Sequence, residues 1–133
     1  MKKIITLLLP VLFLITACSK DQKVVRQLDG TWKVTDVKEN GASVNASEYE
    51  GLKYSFEKCK VSKEACNGSV TQQGLTLAFT YKITDDGEKI VFTTTFFGAT
   101  DTETADIIEH SNSKFVISGK DGNDIRETTM EKE

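Results

Sequence analysis

Leu28-Asp29-Gly30-Thr31-Trp32-Lys33-Val34 is the segment around which the predicted fold is arranged. Gly30 separates two residue patterns, because the apolar residues before it recur with a helical period and those after it recur with a period of two. The first strand is predicted to begin at Trp32, the only tryptophan of the chain. The sequence therefore predicts a short helix that leads directly into a β-domain.

The helix is expected over residues 21–29, where Val24, Val25 and Leu28 share one face. Asp21 is predicted to cap its first turn, since a carboxylate accepts hydrogen bonds from free backbone N–H groups at a helix N-terminus. Gly30 is predicted to end the helix in a left-handed conformation.

After the helix, eight segments alternate apolar and polar residues as strands do, and the clearest is LTLAFTYKI at residues 75–83. Residues 40–51 form the longest irregular segment, with one helical turn expected near 47–50. Eight short strands joined mostly by tight turns favour an all-β fold, an antiparallel up-and-down barrel. The predicted strands are residues 32–38, 52–60, 67–72, 75–83, 88–96, 103–109, 114–118 and 125–130.

The N-terminus is expected to be a signal peptide, residues 1–17. Lys2 and Lys3 precede an apolar run that is too short for an ordinary membrane-spanning helix. The end of this run, Leu14-Ile15-Thr16-Ala17-Cys18, resembles the lipobox of bacterial lipoproteins, in which the cysteine is acylated and becomes the first mature residue. The alternative is an ordinary signal peptide followed by an incidental cysteine.

The resemblance implies that the chain is anchored in a membrane through lipid on Cys18 and is not inserted in it. Ser19 after the cysteine resembles the enterobacterial pattern that directs lipoproteins to the outer membrane. Lys20-Asp21 resembles the export signal of some Bacteroidota surface lipoproteins, so the periplasmic face and the cell surface both stay open.

Gly30-Thr31-Trp32 behind a short helix resembles the Gly-x-Trp signature of lipocalins and their calycin relatives. Together with the lipobox, it makes the chain similar to the small lipocalin-like lipoproteins of Bacteroidota. The resemblance implies a lipidated tether and helix at residues 18–27 and a barrel at residues 28–133. It also implies that Gly30 and Trp32 lie at the closed floor of the barrel and that residues 40–51 overhang the open end. The chain departs from longer lipocalins in its shorter strands and in lacking a recognisable C-terminal helix.

The charge of the chain argues against nucleic acid as a partner. The formal net charge is −3, and removal of Lys2 and Lys3 leaves 15 basic against 20 acidic residues, or −5. Phosphate backbones require a basic face, and none is evident in this sequence.

The cysteines that remain after Cys18, Cys59 and Cys66, are expected to form a disulfide. They are an even pair in an oxidising compartment and flank the predicted turn between the second and third strands. A metal site would need further ligands, and the only histidine, His110, is expected in a solvated turn. No metal and no cofactor are predicted.

Five aromatic residues are predicted to face the barrel interior: Tyr54, Phe56, Phe79, Tyr81 and Phe92. They could line an apolar cavity whose phenolic hydroxyls orient a ligand, or they could simply fill the core. We expect any cavity to be small and to lie near the open end.

Two function classes follow. The first is an anchored binding protein for a small apolar or amphipathic ligand at the cell envelope. The second is a protein-interaction module, either a hydrolase inhibitor or an accessory subunit of an envelope complex, which would expose apolar surface on a loop such as Phe96-Phe97-Gly98. No catalytic constellation is evident, so an enzyme is not expected.

Overall fold

A computed structural model describes residues 19–61 and 65–133. The predicted signal peptide and Cys18 lie outside the described residues. The chain begins with helix α1 (Lys20–Leu28) and continues with β1 (Gly30–Glu39), the two-residue β2 (Ala42–Ser43) and a 3₁₀ turn (Ala46–Glu48). The remaining strands are β3 (Lys53–Phe56), β4 (Cys66–Gln72), β5 (Leu75–Thr84), β6 (Lys89–Phe96), β7 (Ala99–His110), β8 (Lys114–Asp121) and β9 (Asp124–Lys132).

The sheet is an antiparallel meander that closes on itself. Each strand from β3 to β9 pairs with the next, β1 pairs with β3, and β1 also pairs with β9 from Trp32–Lys132 to Glu39–Arg126. The small β2 forms only a short hairpin on the end of β1. The result is an eight-stranded lipocalin-like barrel with one short helix, and the predicted fold class is confirmed.

Tight turns with left-handed residues join the strands. The turn between β5 and β6 places Asp85, Asp86 and Gly87 at φ values of 53°, 56° and 80°. The turn between β6 and β7 places Phe97 at 49° and Gly98 at 78°, which is the pair of positive φ values that a two-residue hairpin with right-handed twist requires.

Several predicted element boundaries were wrong. The second predicted strand, residues 52–60, ends at Phe56, because the chain then leaves the sheet toward Cys59. The sixth begins at Ala99 and not at residue 103, since it pairs with the whole of β6 as far as Phe96. Polar residues such as Thr100 and Thr102 gave no alternating apolar signal there.

The helix ends also differ from the prediction. Ser19 is the N-cap, and its hydroxyl accepts a hydrogen bond from the Gln22 N–H at 3.1 Å. Asp21 instead accepts a 2.7 Å hydrogen bond from the N–H of Gly87 on the β5–β6 turn. Gly30, at φ 130°, is the first residue of β1 and follows the C-cap Asp29.

Helix α1 closes one end of the barrel. Its buried face, Val24, Val25 and Leu28, packs on the core beside Trp32, which is 0% exposed. Gln27 of α1 binds the ends of two strands: its side-chain oxygen lies 2.6 Å from His110 Nδ1 of β7, and its carbonyl accepts a 2.8 Å hydrogen bond from Lys132 Nζ of β9. We call this closed end the floor and the opposite end the mouth.

The disulfide Cys59–Cys66 is present, with Cα atoms 5.3 Å apart, and this prediction is confirmed. Gln22 of α1 holds the same loop by donating to the Cys59 carbonyl at 2.9 Å and accepting from the Val61 N–H at 3.1 Å. The disulfide therefore fixes a loop to which the floor helix is bound.

Candidate functional site

The barrel contains a cup of about 510 Å³ that opens at the mouth. Its lower wall is apolar and its upper wall is polar. The apolar lining residues are Val37, Leu52, Tyr54, Val70, Phe79, Phe92, Ala105 and Ile117, and the charged ones are Asp101, Glu103, Lys120, Asp121 and Arg126.

Three of the five predicted cavity aromatics line the cup. Tyr54, Phe79 and Phe92 contact one another, with ring centroids 5.3–6.5 Å apart. Each comes from a different strand, β3, β5 or β6, on which alternation directs it inward. They form a continuous aromatic side of the cup.

Phe56 and Tyr81 are not among the described residues that line the cup. They lie below it and pack edge to face at 5.2 Å, and Phe56 also contacts Phe115 at 6.3 Å. The Tyr81 hydroxyl donates to the carbonyl oxygen of Glu57 at 2.8 Å, so its hydrogen is already engaged within the protein. These two aromatics fill the core, and the cup lies above them.

A close approach at Gly68 makes room for this aromatic layer. A Cβ at Gly68 would lie 2.4 Å from Cε2 of Phe79 and 2.8 Å from the Ser55 carbonyl oxygen. Phe79 therefore lies against the bare backbone of β4, where only glycine leaves space for its ring.

Tyr54 brings a phenolic hydroxyl to the residues that line the cup. Burial raises the pKa of Tyr54, the negative charge of Glu103 raises it further, and Arg126 has the opposite effect. The hydroxyl has no hydrogen-bond partner among the described residues. It therefore stays protonated at neutral pH and can donate to a bound molecule.

Glu103 and Arg126 add charge near this hydroxyl, and neither was predicted from the sequence. Arg126 also pairs with Glu39 at 3.0 Å. Alternation could have found both: Glu103 lies two residues from the buried Ala105 and therefore faces inward, and Arg126 lies four residues from the buried Met130.

The segment of residues 40–51 does not supply the cup lining. It forms β2 and a 3₁₀ turn, and the Glu48 carbonyl accepts a hydrogen bond from Gln72 at the end of β4. Of the neighbouring residues, Leu52 reaches the cup. Val44 and Tyr49 of this segment pack, partly buried, against the core.

The wall opens between β5 and β6 at the mouth. Their ladder ends at Thr80–Thr93, although β5 continues out to Leu75 and β6 to Phe96. Apolar side chains on these extensions and on the adjoining β6–β7 turn are exposed, notably Leu75 (79%), Phe96 and Phe97 (95%). An apolar patch therefore borders a side opening of the cup.

We compared the sequence with models of known protein families and with curated proteins. Neither comparison finds a match. Within residues 19–61 and 65–133, no cluster of three or more His, Cys, Asp or Glu could hold a metal ion. No helix in this same part of the chain is long and apolar enough to cross a bilayer.

Proposed function

We propose that this chain is a membrane-anchored, lipocalin-like lipoprotein that binds one small amphipathic molecule in its cup. The observation that carries the proposal is the cup itself: about 510 Å³, aromatic at its base and charged at its rim. This volume lies in the usual range for small-molecule sites, roughly 300–1,000 Å³. Eight-stranded barrels are wide enough to hold one such ligand.

The lining favours a ligand with an apolar body and one polar group. Tyr54, Phe79 and Phe92 offer apolar surface, while the free Tyr54 hydroxyl, Glu103 and Arg126 offer one neutral donor and both signs of charge. A polar group placed at this height satisfies the hydroxyl, and the apolar remainder displaces water from the aromatic layer.

A matched pair of variants on β9 tests the ligand site. Thr128 lines the cup, whereas its neighbour Thr129 points to the opposite side of the sheet. Thr128→Phe should fill the cup and lower affinity for an apolar fluorescent probe at least tenfold, and Thr129→Phe should leave it unchanged.

Phe79→Ala should alter the affinity for the same probe by enlarging the cup, with Thr80→Ala on the outer face as its control. If wild type binds none of a broad panel of fatty acids, sterols and porphyrins, the binding proposal fails.

The proposed anchor is lipid on Cys18 and rests on the lipobox-like residues 14–18. Intact mass of the mature protein should show a diacylglyceryl thioether and an amide-linked chain. Cys18→Ala should accumulate as an unprocessed or mislocalised precursor. Normal processing and undiminished membrane attachment of this variant would contradict the anchor.

The apolar patch at the mouth favours a second candidate function, docking of an envelope protein. Phe97 is 95% exposed at the tip of a hairpin, next to Phe96, with ring centroids 4.5 Å apart. Phe96→Ser/Phe97→Ser should abolish capture of a cross-linked partner in the native host while leaving probe binding intact. Loss of probe binding with no loss of cross-linking would instead assign the patch to ligand entry.

A further inference from the structure

The helix that closes the floor is also the element nearest to the proposed anchor. α1 begins at Lys20, only two residues after Cys18 in the sequence, and two residues can span at most about 7 Å. Asp21 binds Gly87 on the β5–β6 turn, and Gln22 binds Cys59 and Val61. The start of α1 is therefore held at the floor, and the anchor enters the domain there.

The mouth lies at the other end of the barrel. β5 runs from Leu75 at the mouth to Thr84 at the floor, which is roughly 30 Å at the usual rise per residue. A tether this short cannot let the domain turn over freely beside the membrane.

The exposed face of α1 is basic. Lys20, Lys23 and Arg26 follow one another at helical spacing opposite the buried Val24 and Val25. Among the ion pairs within 4.0 Å in the described part of the chain, none involves these three cations. They are available to an external anion.

A surface groove extends this basic face. It lies between α1 and the loop after β3 and is lined by Gln22, Arg26, Asp29, Lys58, Cys59 and Lys60. The described lining thus contains three cations and one carboxylate, and Asp29 lies 3.9 Å from Lys58. At the same end, the Asp21 carboxylate binds the Gly87 N–H and Asp85 lies 4.0 Å from Lys89, while Asp86 and Glu88 of the β5–β6 turn are exposed.

We propose that the floor, through the exposed cations of α1 and the adjacent groove, lies on the anionic surface of the membrane that holds the Cys18 lipid. This inference rests on the proposed lipid anchor. The cup then opens away from that membrane, and its ligand is exchanged at the distal side and is not drawn from the bilayer below. The short tether fixes which end is near the lipid, and the complementary charge selects the upright orientation.

The test uses the full chain, processed in a bacterial host, purified in detergent and reconstituted into vesicles of phosphatidylcholine with 30% phosphatidylglycerol as an estimate of a physiological anionic fraction. Two uncharged, exposed positions carry a fluorophore: Asn112→Cys at the floor and Thr100→Cys at the mouth. Spin-labelled lipids should quench the floor label strongly and leave the mouth label unquenched. Equal quenching of both labels, or stronger quenching at the mouth, would overturn the proposal.

A charge test separates the contribution of the basic face of α1 to this orientation from that of the tether. Lys23→Gln/Arg26→Gln should lower the ratio of domains whose floor lies on the membrane to tethered domains that do not contact it by roughly an order of magnitude. Neutral vesicles should have the same effect on the wild type. The control, Lys33→Gln/Lys82→Gln, removes the same charge from the exposed outer wall and should leave the ratio unchanged. Equal loss in both double variants would overturn the role of α1.

Intact mass of the same preparations distinguishes failure of the proposed anchor from failure of the proposed orientation. Protein without lipid on Cys18 refutes the anchor and, with it, this orientation. Lipidated protein whose mouth label is quenched refutes the orientation alone.

Discussion

The indole Nε1 of Trp32 donates a 2.8 Å hydrogen bond to the carbonyl oxygen of Leu28, the last residue of α1. The final carbonyls of a helix have no partner inside the helix, so the indole satisfies one of them in a buried setting. The Trp32 ring also lies 6.1 Å from Phe115 and 5.2 Å from Lys132 Nζ. One residue thus joins the floor helix to the barrel core.

Trp32→Ala should lower the free energy of unfolding by about 3–5 kcal/mol, because the floor cannot collapse around so large a void. Trp32→Phe should cost less, about 1–3 kcal/mol, since it keeps apolar volume but leaves the Leu28 carbonyl unpaired. Urea unfolding measures both. The exposed neighbour Lys33→Ala should stay within about 0.5 kcal/mol of wild type. A loss below about 1 kcal/mol for Trp32→Ala would contradict its role at the floor.

Gly68→Ala should destabilise the barrel by about 1–3 kcal/mol, because the added methyl group would overlap the Phe79 ring and the Ser55 carbonyl. Thermal unfolding measures the effect. Gly119→Ala is the control, since its Cβ would be no closer than 3.6 Å to its nearest neighbour, Ala105. In the Gly68→Ala background, Phe79→Leu should recover part of the loss by removing ring atoms. Equal stability of both alanine variants would show that the Phe79 ring does not pack against the backbone of β4 at Gly68.

Loss of the disulfide in Cys59→Ala/Cys66→Ala should cost about 2.5 kcal/mol, the loop-closure entropy for a sequence separation of 7. Urea unfolding of oxidised wild type, reduced wild type and the double variant separates the bond from the side chains. Gln22→Ala removes two hydrogen bonds to the same loop and should cost less. Two free thiols in freshly isolated protein would refute the pairing.

Alkaline pH should destabilise the protein through Tyr54 and Tyr81. Burial raises the pKa of both phenols, and for Tyr81 the charges of Asp29 and Glu57 raise it further. Above about pH 10 the unfolded state loses these protons before the folded state does, so stability is full below this pH and declines above it.

Absorbance at the phenolate band should therefore show delayed ionisation in the folded protein. In Tyr81→Phe, one phenol that ionises at elevated pH should be absent from this profile. The free energy of unfolding should then decline less steeply above pH 10. A profile in which every tyrosine ionises at the ordinary pKa of a free tyrosine, about 10, would contradict the burial of both rings.

The alternating residues predicted most of the barrel, because inward and outward positions differ in solvent exposure and so in residue type. Strand β5 is the best example, with Phe79, Tyr81 and Ile83 buried on the predicted face. The prediction was least accurate where both faces of a strand are polar, as in the first half of β7. It was also inaccurate at Leu75, which alternation places on the inward face of β5 but which is exposed at the mouth.

The all-β class and the cysteine pair could be predicted from the residues alone, since both follow from local pattern or composition. The floor position of Trp32 was an expectation from the resemblance of Gly30-Thr31-Trp32 to the lipocalin signature. Which aromatics line the cup depends on the three-dimensional structure: Tyr54, Phe79 and Phe92 do, while Phe56 and Tyr81 face the same interior one layer lower. Alternation gives the side of a strand but not the height of a residue along the barrel. That height depends on strand register and on where the β5–β6 ladder ends, which are set by pairing between distant parts of the chain.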